Sequence, residues 1–131
     1  MDIAANKFTR VLVIDDDPVL RTLVEEYFIQ RGSSEVLHAS NGVEALEHLK
    51  QQGSSIDLII SDLNMPDLDG VELMTQLKEI GFAAPIVIVS GTYDVVITMA
   101  NELANQLGLN IAGTIHKPFS AEKLDEIVNA I

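Results

Sequence analysis

Short apolar runs alternate along the chain with longer segments in which apolar residues recur every three to four positions. The runs lie at residues 11–14, 36–37, 56–60, 86–89 and 111–115. The first and fourth runs are continuous and mostly β-branched, as in strands that are covered on both faces. The pattern predicts five strands.

The intervening segments have the 3.6-residue apolar period of helices that pack on one face. The predicted inward stripes are Leu20, Leu23, Val24, Tyr27 and Phe28; Leu46 and Leu49; Val71, Met74, Leu77 and Ile80; Val96, Met99, Ala100, Leu103 and Leu107; and Leu124, Ile127, Val128 and Ile131. Pro18 suits a first helical turn and Ser120 an N-cap. Five strand–helix repeats predict an α/β fold with a doubly wound, five-stranded parallel sheet.

Length and charge restrict the classes of function. The chain has 131 residues, which suits one domain. Its net charge of −12 argues against direct binding of nucleic acid or anionic membrane, and favours a divalent cation or a basic partner. Cysteine is absent, which excludes disulfides and thiol chemistry. The first ten residues contain no long apolar run, so we expect a cytoplasmic protein.

Polar residues follow four of the predicted strands. Three consecutive aspartates, residues 15–17, come after the first strand, Asp62 after the third, Ser90 after the fourth and Lys117 after the fifth. Because the carboxyl ends of parallel strands meet at one edge of the sheet, these side chains are predicted to converge.

The chemistry of this set is consistent with phosphoryl transfer. Clustered carboxylates repel each other, and Mg²⁺ would offset that repulsion, with Asp16 and Asp62 as hard oxygen ligands. A carboxylate beside Mg²⁺ can attack a phosphoryl group and form an acyl phosphate. The Lys117 ammonium and the Ser90 hydroxyl would contact the phosphoryl oxygens.

Four motifs in order, "VLVIDDDP", "DLIISDLNMPDLDG", "IVIVSG" and "HKPF", resemble the receiver domain of bacterial two-component response regulators. The resemblance runs from residue 11 to residue 131, so residues 1–131 are predicted to be one receiver domain with residues 1–8 as an N-terminal extension. It implies a flavodoxin-like (βα)5 fold. The implied roles are phosphoacceptor for Asp62, direct Mg²⁺ ligand for Asp16, largely water-mediated ligand for Asp15, backbone ligand for Asn64, switch hydroxyl for Ser90 and phosphate contact for Lys117.

The same resemblance implies a phosphorylation switch. A sensor histidine kinase or phosphotransfer protein would donate the phosphoryl group, and the domain would control an output domain or target protein. Self-phosphorylation and slow autodephosphorylation would accompany it, at a rate that depends on Asn64 and Thr92. The Lys117–Pro118 bond is expected to be cis. The stretch "ANQLGLNIAGTIHKPFS" resembles receivers fused to a cyclic-dinucleotide phosphodiesterase domain.

Two features depart from the pattern of this family. Thr114 stands where receivers commonly carry the aromatic residue that reports activation, so we expect activation to be read through the loop after Ser90 and the fourth helix. Lys117 follows Ser90 by 27 residues, which predicts an extended fourth helix. An altered surface of fourth helix, fifth strand and fifth helix would then form the contact with a target or with a second copy in a homodimer.

Three alternatives remain at this stage. The first is a Mg²⁺-dependent phosphohydrolase with Asp17 as the second acid, although an N-cap role is favoured for that residue. The second is a flavodoxin-like cofactor binder, which three aspartates in place of a phosphate loop disfavour. The third is a receiver that binds its partner constitutively and is never phosphorylated. Structural roles are predicted for five further residues: His38, His48, His116, Asp67 and Asp69.

Overall fold

The computed structural model describes residues 8–62, 70–91 and 94–131. The described residues form the predicted alternation of five strands and five α-helices. The strands are β1 (Arg10–Ile14), β2 (Glu35–Ala39), β3 (Leu58–Asp62), β4 (Pro85–Ser90) and β5 (Asn110–His116). The helices are α1 (Pro18–Gln30), α2 (Gly42–Gln52), α3 (Gly70–Glu79), α4 (Asp94–Leu107) and α5 (Ala121–Ala130).

The strands form a parallel sheet in the order β2-β1-β3-β4-β5. Helices α1 and α5 bury their apolar side chains, such as Phe28 and Leu124, on one face of the sheet. Helices α2, α3 and α4 cover the other face with residues such as Leu49, Leu77 and Ala104. The predicted doubly wound α/β fold is therefore confirmed. The strand order changes direction between β1 and β3, which is where ligands bind in open sheets of this kind.

Local sequence signals set the helix ends. Asp17 caps α1 by accepting a hydrogen bond from the Val19 N–H at 2.9 Å, and Ser120 caps α5. After α3 and α4 the chain turns through Gly81 (φ 73°) and Gly108 (φ 77°), a backbone region that favours glycine. These capping residues and glycines explain why the predicted helix ends agree with the observed ones to within a few residues. Among the described residues no helix is both long and apolar enough to cross a membrane.

The third apolar run begins two residues before the strand that it predicted. Asp57 lies just before β3, and its Oδ2 and Oδ1 accept hydrogen bonds from the N–H groups of Thr9 and Arg10 at 2.8 and 3.2 Å. This carboxylate ties the start of β1 to the start of β3. Asp57 interrupts the apolar run because its side chain binds the backbone at the start of the neighbouring strand.

Three residues assigned to inward stripes are exposed. Met99 on α4 is 64% exposed, and Leu23 and Ile80 are also on the surface. From residue 97 to the end of α4, the buried residues are Ile97, Ala100 and Ala104. Met99 directly precedes one of them and so projects about 100° away around the helix. The predicted stripe of α4 was right at Ala100, which is buried, and wrong at Met99, which lies outside the buried face.

Strand β5 contains an irregularity opposite β4. Ile86 pairs with Ile111 and Val87 pairs with Gly113, so one extra residue is accommodated in β5. A Cβ atom at Gly113 would lie 2.8 Å from the Ile127 side chain of α5. Glycine at this position therefore permits the close packing of α5 on β5. Part of the long interval between Ser90 and Lys117 is taken up by this bulge, and α4 itself spans 14 residues.

Candidate functional site

The carboxyl edge of the sheet brings together the predicted polar side chains. Asp15 follows β1, Asp62 ends β3, Ser90 ends β4 and Lys117 follows β5. Asp15 and Ser90 are fully buried and Asp62 is 4% exposed. The backbone N–H of Lys117 donates to the Ser90 carbonyl at 3.0 Å, which fixes the two strand ends relative to each other. Lys117 precedes a cis peptide bond to Pro118, as predicted.

One ammonium group lies between two buried carboxylates. Lys117 Nζ is 3.1 Å from Asp62 Oδ2 and 3.2 Å from Asp15 Oδ2. Burial, reinforced by the neighbouring Asp62 charge, raises the pKa of Asp15 despite a hydrogen bond from Asp17 and the pull of Lys117. Burial alone would lower the pKa of Lys117, but the Asp62 and Asp15 carboxylates outweigh it and raise that pKa. The lysine therefore stays charged.

Three carboxylates can share a cation at this edge. Oxygens of Asp15, Asp16 and Asp62 lie within 4.8 Å of one another. Among the described residues, the buried Asp15 Oδ2 forms an ion pair with Lys117 Nζ at 3.2 Å and accepts no further hydrogen bond. A buried carboxylate oxygen that has only this ion pair, next to two further carboxylates, fits a hard divalent cation such as Mg²⁺.

The loop after β1 is fastened at several points. The Asp15 N–H donates to Ala39 O at 3.0 Å, and its Oδ1 accepts from the Asp17 N–H at 2.9 Å. Its carbonyl oxygen accepts a hydrogen bond from Arg21 Nη1 at 2.6 Å. Sequence reasoning did not identify Arg21. The available signal was a basic residue in α1, close in sequence to an acidic cluster.

Three of the residues predicted to be structural, Asp17, His38 and His48, have side-chain contacts outside the carboxylate cluster. The Asp17 carboxylate caps α1, which is the role that the sequence favoured for it over an acid in hydrolysis. His38 Nε2 lies 2.9 Å from a Glu25 carboxylate oxygen, and His48 Nε2 lies 2.9 Å from the His38 carbonyl. These contacts link α1, β2 and α2.

Some predicted residues lie outside the described ranges. They are Asn64, Asp67, Asp69 and Thr92. Thr114, at the position where an aromatic residue is common, is half-buried in β5 and pairs with Ile88 of β4.

Comparison with known proteins establishes the family. The chain belongs to the response regulator receiver domain family, whose model matches residues 11–129. It is 30% identical to the chemotaxis protein CheY of Bacillus subtilis (strain 168) over 122 residues, which are 92% of this chain and 94% of that protein. It is 31% identical to the Regulator of RpoS of Escherichia coli (strain K12), again over 92% of this chain but over only 34% of that protein.

Solved structures agree with this assignment. A response regulator receiver domain protein from Clostridium thermocellum superposes with a TM-score of 0.77 at 29% identity, covering 93% of this chain and 92% of that one. The predicted family, the flavodoxin-like receiver fold and the role as a two-component signalling receiver are confirmed. The predicted fusion to a phosphodiesterase domain stays a prediction.

Proposed function

We propose that this receiver accepts a phosphoryl group from a sensor histidine kinase or a phosphotransfer protein onto Asp62, in the presence of Mg²⁺. Asp15, Asp16, Asp62 and the backbone carbonyl of Asn64 would hold the cation. The observation that carries the proposal is the nearly buried Asp62 carboxylate, which lies beside Asp15 with Lys117 Nζ 3.1 Å from its Oδ2. A buried carboxylate of this kind is a suitable nucleophile once its charge is balanced.

These positions support the following transfer step. An Asp62 oxygen attacks the phosphorus, an O–P bond forms, and the P–N bond of the donor phosphohistidine breaks with its electron pair leaving on the imidazole nitrogen. When bound, Mg²⁺ supplies positive charge to the phosphoryl oxygens. Lys117 and the Ser90 hydroxyl then donate to those oxygens. A small donor such as acetyl phosphate would serve in the same way, and water attack on the phosphorus would later restore Asp62.

Phosphorylation would bias two conformations through contacts made in only one of them. A shift from 1:99 to 99:1 needs about 5.5 kcal/mol of differential interaction. New charge-assisted hydrogen bonds from Lys117 and Ser90, at about 1.5–3 kcal/mol each, are of that order. Since Thr114 replaces the aromatic reporter, the change would be read through the loop after Ser90 and through α4, which packs by the small residues Ala100 and Ala104.

The partner is proposed from charge and exposure. A net charge of −12 favours a partner with a basic docking surface. On α4, Met99 is 64% exposed and available for contact with an output domain or target protein. A cyclic-dinucleotide phosphodiesterase domain as that output, and a homodimer through α4, β5 and α5, remain predictions.

Asp62→Asn tests the phosphoacceptor. We expect the wild-type protein with Mg²⁺ and acetyl phosphate to gain the mass of one phosphoryl group, and Asp62→Asn to gain none. Asp57→Asn, at the other end of β3, is the matched control and should be labelled like the wild type. Intact-mass spectrometry provides the measurement.

Fluoroberyllate, a phosphoryl mimic, tests the switch. We expect amide shifts at residues 90–105 in the wild-type protein and none in Asp62→Asn. Unchanged amide signals over residues 90–105 would contradict readout through α4. No adduct and no Mg²⁺-dependent shift at all would instead favour a receiver that binds its partner constitutively.

A further inference from the structure

Arg21 reaches back from α1 to the loop that precedes the helix. Its backbone N–H donates to Asp17 O at 3.2 Å, as part of the first helical turn. Its side chain extends further, and Nη1 donates to the carbonyl oxygen of Asp15 at 2.6 Å. The residue therefore closes the acidic loop twice, once with its main chain and once with its guanidinium group.

The guanidinium group of Arg21 is not fully hydrogen-bonded by the described residues. Arg21 is half-buried, and its Nε is buried without a hydrogen-bond partner among the described residues. Such burial of a charged group is unfavourable unless other contacts offset it. The charge of Arg21 also lowers the pKa of Glu44 at the start of α2, after the larger effect of hydrogen bonds from Ser40.

The bond to the Asp15 carbonyl affects two carboxylates. That carbonyl belongs to the peptide that joins Asp15 to Asp16, so its direction sets the orientation of the Asp16 backbone. Asp15 is held on its other side by the N–H bond to Ala39 O, and its Oδ1 by the Asp17 N–H. With these contacts made, Asp15 Oδ2 and the Asp16 carboxylate are directed to the shared site near Asp62.

We propose that Arg21 is a positioning residue for the divalent cation: its guanidinium group fixes the Asp15–Asp16 peptide and thereby holds the carboxylates of both residues in a ligating arrangement. The inference rests on the magnesium site of the proposed function. The charge of Arg21 and its effect on ligand geometry contribute to Mg²⁺ affinity in opposite directions. By charge alone a guanidinium group repels Mg²⁺, whereas a fixed ligand geometry strengthens binding.

Mg²⁺ titration of Arg21→Met separates the two contributions. Outer partners of metal ligands typically change affinity by about 10- to 100-fold, so we expect the Kd for Mg²⁺ to rise about tenfold. Arg21→Lys retains a donor and should recover part of the loss. Arg31→Met is the matched control, because this arginine, directly after α1, contacts the Tyr27 carbonyl and Asp125, and the Kd of this variant should equal that of the wild type. Calorimetry gives the Kd.

The free energy of unfolding in Mg²⁺-free urea, measured on each variant, shows that the compared proteins are folded. A Kd in Arg21→Met that is unchanged or lower than in the wild type overturns the inference. If Arg21→Met does not fold, Arg21→Gln decides with the same criterion, because glutamine is uncharged and too short to reach the Asp15 carbonyl as Arg21 Nη1 does. Absence of Mg²⁺ binding in the wild type overturns the magnesium site itself, while equal binding in wild type and variant overturns only the role of Arg21.

Discussion

Strand β3 has an aspartate at each end, and the two are held in opposite ways. Asp57, just before the strand, is half-buried, and its two oxygens accept backbone N–H groups of Thr9 and Arg10 at 2.8 and 3.2 Å. Asp62, the last residue of the strand, is nearly buried and shares the Lys117 ammonium with Asp15. One carboxylate has neutral donors in fixed positions. The other lies in a cluster that carries more negative than positive charge.

This difference distinguishes a structural carboxylate from one prepared for chemistry. Backbone N–H groups compensate Asp57 at all times, so its contribution to the fold needs no ligand. In the described part of the cluster, the carboxylates of Asp15, Asp16 and Asp62 lie close together, and burial, reinforced by the Asp62 charge, raises the pKa of Asp15. The carboxyl edge thus gives up stability in the absence of a cation, and a cation or a phosphoryl group with its cation can restore it.

Asp57→Ala and Asp62→Asn should change stability in opposite directions. Loss of the acceptor for two backbone N–H groups in Asp57→Ala should lower the free energy of unfolding by about 2 kcal/mol. In Mg²⁺-free buffer, Asp62→Asn should raise it, because a repelling charge is removed from a buried cluster. Urea unfolding at neutral pH measures both.

A lower free energy of unfolding in both Asp57→Ala and Asp62→Asn would contradict the proposed difference between the two ends of β3. A gain in Asp62→Asn that persists at saturating Mg²⁺ would also contradict it, since the cation should then stabilise the wild-type cluster.

Lys117→Met tests what the positive charge contributes at the carboxyl end of β3. Its ammonium contacts the Asp62 and Asp15 oxygens that would ligate the cation. Removal of a competing positive charge should tighten Mg²⁺ binding about tenfold, equivalent to about 1.4 kcal/mol, while phosphoryl transfer to Asp62 slows. Calorimetric Mg²⁺ titration measures the first effect and intact mass against time the second. Weaker Mg²⁺ binding in Lys117→Met would show that the lysine, like Arg21, acts by holding the loop.

The convergence of the site was predictable because it follows from topology. Once alternating strands and helices indicate a parallel sheet, the residues after β1, β3, β4 and β5 must share an edge. Asp62, Ser90 and Lys117 therefore required no distance information. The N-cap roles of Asp17 and Ser120 were equally local, since a cap depends on the two or three residues that follow it.

The contacts that were not predicted depend on the path of a loop or on the phase of a helix. Arg21 meets the Asp15 carbonyl through a long side chain whose direction is set by the angle at which α1 leaves the loop. Asp57 binds N–H groups 48 and 47 residues away. Met99 is exposed because the buried face of α4 contains Ile97, Ala100 and Ala104 and does not extend to Met99. None of these quantities is encoded by spacing alone.

A third carboxylate, that of Asp125, has both a neutral donor, as Asp57 has, and a charged one, as Asp62 has. Its substitution should change the free energy of unfolding least. Its Oδ1 accepts from the Tyr27 hydroxyl at 2.7 Å and from Arg31 Nη2 at 3.1 Å, which ties α5 to α1. The Tyr27 hydrogen bond first, and then Arg31, hold the pKa of Asp125 below its ordinary value of 3.8. Because the folded state favours the ionised form, this contribution to stability is fully present above pH 3.8 and is lost as the pH falls through the lowered pKa.

Asp125→Asn should therefore be slightly less stable than the wild type at neutral pH, and the difference should shrink as acidification protonates the wild-type carboxylate. The effect is small because the group is exposed to solvent and screened by it. Urea midpoints of the two proteins, compared from pH 7 down to the acid limit of folding, provide the measurement. If the difference in urea midpoint stays constant below pH 3.8, the amide of Asp125→Asn destabilises the protein through its geometry. The charge of Asp125 then contributes nothing to the contact between α1 and α5.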